Sequence, residues 1–317
     1  MTRPVTVVAI LACHNRRSRT LDCLRSLFAQ ELNGVDLSAV LVDDGSTDGT
    51  GEAVRRAFAA VSVLAADGRR YWARAMALAE REALSRSPDY VLWLNDDVVL
   101  DPRALSTLLG LSVAEGGSAI VVGALREPLT GAVTYSGVRR RDWHPLRLEP
   151  VEPGDGPVLV ETFNGNVVLV PAEVACALGG IDDGFAHALA DFDYGLRAGR
   201  LGYVSILAPS VVGTCTRDGK ERPWLDAARP SDERIRLLLG PKGVHPGSTA
   251  RYLRRHGGRA WPLFWAASYL KAAALMAAAS ARRRSGERPD HPTRIPGSDD
   301  PGRNRPRDEA ACADHGA

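Results

Sequence analysis

Short apolar runs alternate with helical patterns through the first 125 residues. The apolar runs predict strands over Val5–Leu11, Ala39–Val42, Val61–Leu64, Tyr90–Leu94 and Ala119–Val122. Between them, apolar positions with helical spacing predict helices over Arg19–Gln30, Gly49–Ala59, Trp72–Ser85 and Pro102–Ala114. Strands that are apolar throughout are buried on both faces, which is typical of a parallel sheet covered by helices. The pattern therefore predicts an α/β fold with a mainly parallel central sheet.

After Arg126 the two kinds of pattern mix. "LTGAVTYSGV" and "VLVETFNGNVVLV" predict sheet, and "PAEVACAL" predicts a short helix that begins at a proline. "ALADFDYGLRAGRLG" predicts a helix that ends before a last strand in "YVSILAP". We expect this second part to complete the first rather than to form an independent domain.

A third pattern covers Ala260 to Ala281, "AWPLFWAASYLKAAALMAAASA", which "RRR" follows. Helical spacing places most of its large side chains on one face: Trp261, Phe264, Trp265, Tyr269, Leu275 and Met276. The segment is long enough to span a bilayer, but Lys271 in its middle argues against a span. Two interpretations stay open: a helix that packs on the core, or one whose aromatic and basic residues bind the membrane surface. Residues 285–317 are polar and rich in proline and glycine, which predicts disorder.

Charge and cysteine content narrow the class of protein. The net charge of +2 argues against a general nucleic-acid binder, although no acid occurs between Arg234 and Gly286. The five cysteines are scattered without a CxxC pair, which indicates a reducing compartment. The apolar run near the N-terminus is better explained as a first strand than as a signal peptide, so we expect a cytoplasmic protein.

Polar clusters follow the predicted strands: "CHNRR", "DDGSTDGT", "ADGRRYW" and "NDDV". In open α/β sheets, ligands bind beyond the carboxyl ends of the strands. Asp96 and Asp97 are adjacent like charges after a buried strand, and a divalent cation such as Mg²⁺ or Mn²⁺ would neutralise them. The alternative is a cluster that faces water and needs no metal. Asp43 either belongs to an ordinary strand–turn–helix connection or accepts hydrogen bonds from a base or ribose.

The order and spacing of these motifs resemble family 2 glycosyltransferases, which have the GT-A fold, a Rossmann-like fold of nucleotide-diphospho-sugar transferases. The resemblance covers the chain from Val5 to about Cys215 and is carried by "ILACHNRRSRTLDCLRSLFAQ", "VDDGSTDGT", "DGRRYWARAMALA", "LWLNDDVVLDP", "FNGNVVLVP" and "GGIDDGFAHALADFDYGLRAGRLGY". It implies metal-dependent, inverting hexosyl transfer from a UDP- or dTDP-sugar to a hydroxyl of a saccharide or lipid-linked acceptor. It also implies a role in cell-envelope polysaccharide or glycolipid assembly, and rhamnose is the suggested sugar.

The resemblance assigns residues to the donor and the metal. Donor contacts are implied for Cys13, Asn15, Arg16, Asp43, Asp67, Gly68, Trp72 and Asp96. Asp97, with Asp96, is the implied metal ligand. Asn95 replaces the first acid of the Asp-x-Asp motif, and Cys13 stands where threonine or serine is commoner.

A later acidic motif, usually Glu-Asp-x-Asp, matches "ALADFDYGLRA", with Ala190 in place of the glutamate. The match implies that Asp191 is the general base. Acceptor contacts are implied for Asn164, Gly165, His187 and Asp193. Asp193 also lies four residues before Arg197, so an ion pair that anchors the helix is the structural alternative. For His187 the alternative is a structural histidine.

The resemblance and the composition of the C-terminal part together divide the chain into four segments. Residues 1–125 would bind the nucleotide-sugar, 126–230 the acceptor, 231–284 would form basic, amphipathic helices at the inner face of the cell membrane, and 285–317 a disordered tail. Two other functions stay open. A nucleotidyltransferase usually opens with a glycine-rich phosphate loop and a lysine, whereas the first loop here is "CHNRRSR". An inactive, membrane-associated scaffold of the same fold would explain Asn95 and Ala190.

Overall fold

A computed structural model describes residues 3–216 and 222–284. Within these residues the strands are β1 Val5–Cys13, β2 Val35–Asp43, β3 Val61–Ala65, β4 Tyr90–Leu94, β5 Val99–Leu100, β6 Ile120–Arg126, β7 Val133–Tyr135, β8 Gly137–Arg140, β9 Leu148–Pro150, β10 Val158–Val160, β11 Thr162–Phe163, β12 Val167–Pro171 and β13 Ser205–Thr214. The α-helices are α1 Arg17–Phe28, α2 Thr50–Ala57, α3 Tyr71–Leu84, α4 Ala104–Ala114, α5 Ala172–Leu178, α6 Ala190–Arg200, α7 Ser231–Leu239, α8 Pro246–His256 and α9 Trp261–Arg284. Pro223–Leu225 and Gly258–Ala260 form single 3-10 turns.

One large sheet organises the molecule, with its main strands in the order β10-β13-β6-β12-β4-β1-β2-β3. Strands β3, β2, β1 and β4 are parallel, β12 runs antiparallel to both β4 and β6, and β13 is parallel to β6. Two apolar layers, one on each face of the sheet, form the core. The predicted α/β fold with a mainly parallel sheet is confirmed.

The antiparallel strand β12 determines where the second part of the chain meets the first. Because it runs against β4, its start lies beside the carboxyl end of β4, where Val167 pairs with Leu94. Just before β12, the Asn166 carbonyl accepts a hydrogen bond from the Asn95 amide at 3.0 Å. A small sheet in the order β11-β8-β9 lies next to this junction. Strands from both parts of the chain therefore contribute to one edge.

The contacts of α9 bear on the two interpretations of its aromatic residues. Trp265 Nε1 donates to the Pro246 carbonyl at 3.3 Å and Tyr269 donates to the Val244 carbonyl at 3.0 Å. The aromatic face therefore packs on the protein, which favours the interpretation of a helix that packs on the core for this face of α9. The hydropathy and length of 258–284 are nonetheless sufficient for a membrane span. The tail predicted to be disordered, 285–317, lies outside the described residues.

Candidate active site

The site lies where β1, β2 and β4 end and β12 begins. Cys13 and Asp43 are partners in the last pair of the β1–β2 ladder, and Asn95 directly follows β4. The last residues of these parallel strands inside the core are apolar and buried, so polar side chains appear where each strand leaves the core. The predicted clustering of the strand-end motifs at one edge of the sheet is confirmed.

Asp96 and Asp97 share a cation, which is the guanidinium of Arg16. Arg16 Nη1 lies 2.8 Å from Asp97 Oδ2 and 3.3 Å from Asp96 Oδ1. Burial raises the pKa of Asp96 to about 6, the charge of Arg16 opposes this shift, and the charge of Asp97 adds to it. Asp96 is buried, whereas Asp97 is only partly buried. The carboxylate pair therefore has a counterion within the protein, and Asp97 is the more accessible of the two.

The side chain of Asn95 is bound to an aromatic residue of the site, Trp72. Its Oδ1 accepts a hydrogen bond from Trp72 Nε1 at 2.7 Å. The Trp72 indole in turn covers Gly165, where an added Cβ would lie 2.7 Å from the ring. Gly165 is thus required by the close approach of Trp72, and Asn95 fixes the indole in that position.

The two aspartates at the end of β2 fix the loops around the site. Asp43 accepts hydrogen bonds from the Ser46 and Gly51 amides at 2.9 and 3.0 Å, which orders the start of α2. Asp44 is buried and accepts the amides of Gly68, Arg70 and Tyr71 at the start of α3. Asp44 thus positions the loop that contains the predicted donor residues Asp67 and Gly68. Asp67 itself is exposed at the edge of the site.

The first loop is held to the second by Asn15. Its amide donates to Ser46 Oγ at 2.9 Å and its Oδ1 accepts the Thr47 amide at 2.8 Å. Asn15 has a φ of +52°, a left-handed conformation that asparagine adopts more readily than most residues. Cys13 is 4% exposed, and burial raises the pKa of its thiol. Cys13 therefore lies at the predicted place but presents almost no side-chain surface.

Asp191 lies in the first turn of α6, at the loop-to-helix start that the sequence predicted. Its Oδ1 accepts the Phe192 amide at 2.9 Å and its Oδ2 accepts the Gly165 amide at 3.2 Å. Burial raises the pKa of Asp191 to about 6, although these backbone hydrogen bonds act to lower it. A carboxylate of this kind is ionised near neutral pH and is basic enough to accept a proton.

Asp193, another predicted acceptor residue, is enclosed by cationic partners. Asp193 is 0% exposed and pairs with Arg197, Arg255 and His256 at 2.8 to 2.9 Å. Burial alone would raise its pKa, but these partners lower it below the ordinary value. The predicted pair with Arg197 is confirmed, and the burial favours the anchoring alternative over contact with an acceptor.

His187 lies beside Trp72, whose amide approaches Nδ1 at 3.4 Å. Burial, with the positive charges of Lys242 and Arg16, lowers the pKa of His187 to about 4, so the ring is neutral at physiological pH. Asn164, whose amide donates to the Ser136 carbonyl at 3.2 Å, is partly exposed next to Gly165. Both residues therefore lie near the site and are partly exposed.

Sequence reasoning missed three residues that support this site. Asp44 holds the loop from Gly68 to Tyr71, Cys215 Sγ lies 3.5 Å from Asp97 Oδ1, and Arg255 pairs with Asp193 across 62 residues of chain. The repeated acid in "DDG" was a signal for Asp44. Cys215 follows β13 and Arg255 lies in α8, and no local sequence pattern links either residue to its partner.

The ligand oxygens at this site suit a divalent metal that arrives with a diphosphate. Asp96 and Asp97 supply carboxylate oxygens, the ligands that Mg²⁺ and Mn²⁺ prefer. Within 3–216 and 222–284, no cluster of three or more His, Cys, Asp or Glu side chains forms a complete cage. Mg²⁺ usually takes one or two carboxylates and completes its shell with waters and substrate phosphates, so the pair fits this mode.

Residues 8–159 match the sequence profile of the family described as glycosyl transferase family 2. The chain carries a family 2 glycosyltransferase domain. The matched segment includes the strand ends with Asp43 and Asp97 and stops before Asp191. Two curated relatives, both N-acetylglucosaminyl-diphospho-decaprenol L-rhamnosyltransferases from strains of Mycobacterium tuberculosis, are 26% identical over 202 residues. The match covers 55% of this chain and 64% of each relative, so the chain spans less than two thirds of their length.

Several solved structures share the fold of the domain. GalNAc-T7 with UDP, GalNAc and Mn²⁺ superposes with a TM-score of 0.58 at 14% identity, over 81% of this chain and 53% of that one. The mannosyltransferase PcManGT of Pyrobaculum calidifontis, with GDP-Man and Mn²⁺, gives 0.53 at 21% identity over 91% and 77%. TarS 1–349 of S. aureus gives 0.52 at 12% identity over 89% and 92%. The fold of the family 2 domain is therefore GT-A.

Proposed function

We propose that this protein transfers a sugar, with inversion, from a nucleotide-diphosphate sugar to a hydroxyl of a saccharide or lipid-linked acceptor. One observation carries the proposal: a short path of contacts joins the candidate base to the candidate metal motif. Asp191 accepts the Gly165 amide, Gly165 packs under Trp72, and Trp72 donates to Asn95, next to Asp96. A base and a carboxylate pair on one edge are the groups that this transfer requires.

The proposed donor side is formed by the ends of β1, β2 and β4. Asp97, with Asp96, would hold Mg²⁺ or Mn²⁺, which supplies Lewis-acid neutralisation of the leaving diphosphate. The Arg16 guanidinium lies at the same carboxylates and can pair with phosphate oxygens as well. Asp43, Asp67 and the loop at Asn15 would surround the nucleoside, in keeping with the donor residues that the family resemblance implies.

The proposed acceptor side is formed by β12, α6 and the neighbouring loops. Asp191 would remove the proton of the attacking hydroxyl, because its raised pKa makes it a better base than an exposed aspartate. One base and attack from the face opposite the leaving group give inversion. Trp72, Asn164 and neutral His187 would position the acceptor and the sugar. Most donor contacts would come from segment 1–125 and most acceptor contacts from segment 126–230.

The names of the two curated relatives support a deoxyhexose donor and a lipid-linked acceptor. Their names specify L-rhamnosyl transfer to N-acetylglucosaminyl-diphospho-decaprenol. We therefore propose a deoxyhexose such as rhamnose, carried on dTDP or UDP, and a polyprenyl-linked acceptor in cell-envelope assembly. A cytoplasmic protein in peripheral contact with the membrane would meet both substrates.

The two alternatives are less well supported by the site. A nucleotidyltransferase would need phosphate contacts in the first loop, but Asn15 uses its amide and carboxamide to hold the second loop. An inactive scaffold would not need a buried carboxylate with a raised pKa at the end of a contact path from Asn95. Both features favour glycosyl transfer.

The test is Asp97→Ala, assayed against a panel of UDP- and dTDP-sugars with Mn²⁺. We expect loss of transfer and weaker Mn²⁺-dependent nucleotide binding in calorimetry, because the more accessible carboxylate of the pair is gone. Asp36→Ala is the matched control, since Asp36 is exposed and pairs with Thr6 near the opposite end of β1. Unchanged nucleotide affinity in the Asp97 variant would contradict the metal role.

A further inference from the structure

The helix α9 is apolar over most of its length but is hardly buried. Of its 24 residues, all of which the structure describes, only Ala272 is buried. An apolar helix in a water-soluble fold is normally enclosed, so one that is exposed indicates a partner surface. The inner face is accounted for by the aromatic residues that pack on the protein. The outer face remains to be explained.

The outer face of α9 consists of Leu263, Ala266, Ala267, Leu270, Ala274 and Ala277, which helical spacing places on one side. Leu263 is 74% exposed and Leu270 is 72% exposed. Next to its start lies Trp143, which is 80% exposed and lies 5.5 Å from the Phe264 ring. A continuous apolar strip with a tryptophan at one end therefore faces outward.

The contacts of the inner face show that the helix lies along the protein over its full length. At the start Arg254 covers the Trp261 ring, in the middle Tyr269 bonds to Val244, and near the end Arg234 donates to the Met276 carbonyl at 3.0 Å. A helix held along one side cannot be surrounded by lipid as a membrane span is. Only the outer face is available, and an apolar face of this kind lies in the plane of the lipid headgroups.

The charges around the outer face fit an anionic surface. The helix contains no acid, its last turn is Arg282–Arg284, and Lys271 and Arg259 are exposed. Basic side chains at the border of an apolar face are drawn to anionic lipid headgroups, whereas a second copy of this face would repel it.

We propose that the outer face of α9, with Trp143, docks flat on an anionic lipid bilayer. The proposal rests on the proposed function, because it places the site near a lipid-linked acceptor. The path to the site is short: α9 packs on α8, and Ser248 of α8 accepts the Ala186 amide at 2.9 Å, directly before His187. Docking would thus present the acceptor side of the site to the membrane through one intervening helix.

The experiment compares the full-length protein with Leu263→Glu/Leu270→Glu in sedimentation with vesicles. The vesicles contain phosphatidylcholine alone or phosphatidylcholine with phosphatidylglycerol. We expect wild type to bind only the anionic vesicles, less at high salt, and the double variant to bind at least about tenfold less because two leucines no longer leave water. The matched control is Leu129→Glu/Val113→Glu, whose leucine and valine are 93% and 67% exposed on other elements. We expect this control to bind like wild type.

Three outcomes would overturn docking. The first is equal vesicle binding by both double variants, and the second is resistance of wild type to alkaline extraction, which marks a span. The third is a wild-type dimer in light scattering that Leu263→Glu/Leu270→Glu converts to monomer without any vesicle binding, which would assign the face to a second copy. Transfer to a water-soluble acceptor separates this proposal from the proposed function. We expect it to be unchanged in both double variants, whereas its absence in wild type would contradict the proposed function alone.

Discussion

At the scale of single residues, the site combines carboxyl groups that the protein keeps in different states. Asp191 has a pKa raised to about 6 by burial, while the pKa of Asp193, two residues later, is lowered by its cationic partners. The same helix turn thus holds one carboxyl group suited to accept a proton and one that stays ionised. This division supports a chemical role for the first and an anchoring role for the second.

Asp191→Asn tests the role of the base. We expect nucleotide-sugar binding to persist and turnover to fall about 10²–10⁴-fold, because the amide cannot accept the hydroxyl proton. In wild type, kcat/KM should fall as the pH drops below about 6, since Asp191 becomes protonated there. The residual activity of the variant should lack this acidic limb. Near-normal turnover by Asp191→Asn would exclude Asp191 as the base.

Arg16→Gln tests the internal counterion of the carboxylate pair. We expect Mn²⁺ to bind more tightly without nucleotide, because the guanidinium at 2.8 Å from Asp97 no longer competes. Nucleoside diphosphate should bind less tightly, because a partner of its phosphates is lost. Electron paramagnetic resonance of free Mn²⁺ measures the first effect and calorimetry the second. Arg17→Gln is the control for the loss of charge alone, because Arg17 is exposed. Equal Mn²⁺ affinity in Arg16→Gln and wild type would contradict the competition.

At the scale of elements, the strands and helices of the first part follow from the sequence. Each strand predicted there corresponds to an observed strand, and Tyr90–Leu94 matches its predicted bounds. The two-residue strand β5 and the three-residue strand β9 were missed because so few positions carry no periodic signal. The motifs at the strand ends were predictable for the same reason as the strands. Their partners were not, because Arg16 and Asp97 lie 81 residues apart and only the sheet order brings them together.

Asp193 fastens α6 to α8, and Asp193→Asn tests that connection. We expect a loss of about 2 to 3 kcal/mol in the free energy of unfolding, less than for a fully enclosed pair because Arg197 and Arg255 keep some access to solvent. Nucleotide binding should persist. Chemical denaturation measures the loss, with Asp183→Asn as the control, since Asp183 is exposed. Unchanged stability together with lost transfer would instead support contact between Asp193 and the acceptor.

At the scale of the whole molecule, a buried carboxyl group joins the two parts of the chain. Glu80 in α3 is 1% exposed, accepts the Ile181 amide at 2.5 Å, and accepts the Tyr194 hydroxyl at 3.2 Å. Burial raises its pKa from 4.5 to about 7, although both hydrogen bonds act to lower it. The folded state therefore favours the protonated acid.

Glu80 should make stability depend on pH. Because the folded pKa lies above the unfolded one, its contribution is fully present below about pH 4.5 and is lost as the pH rises through about 7. The loss is on the order of 3 kcal/mol. Glu80→Gln should flatten this part of the profile in denaturation at a series of pH values, whereas the exposed Glu82→Gln should not. A wild-type profile without this decline would contradict a raised pKa.

The antiparallel direction of β12 keeps the residues before it at the site, whatever the length of the segment that precedes them. The strand enters the sheet with its first residues at the ligand edge, so the long excursion from Arg126 to Phe163 returns to a fixed point, Asn164–Asn166, whatever its own length. Under the proposed function, exchange of the turns around Gly131 and Gly154 would alter the proposed acceptor surface and leave the strand ends of the proposed donor side unchanged. A chain built this way would acquire new products by replacement of one segment.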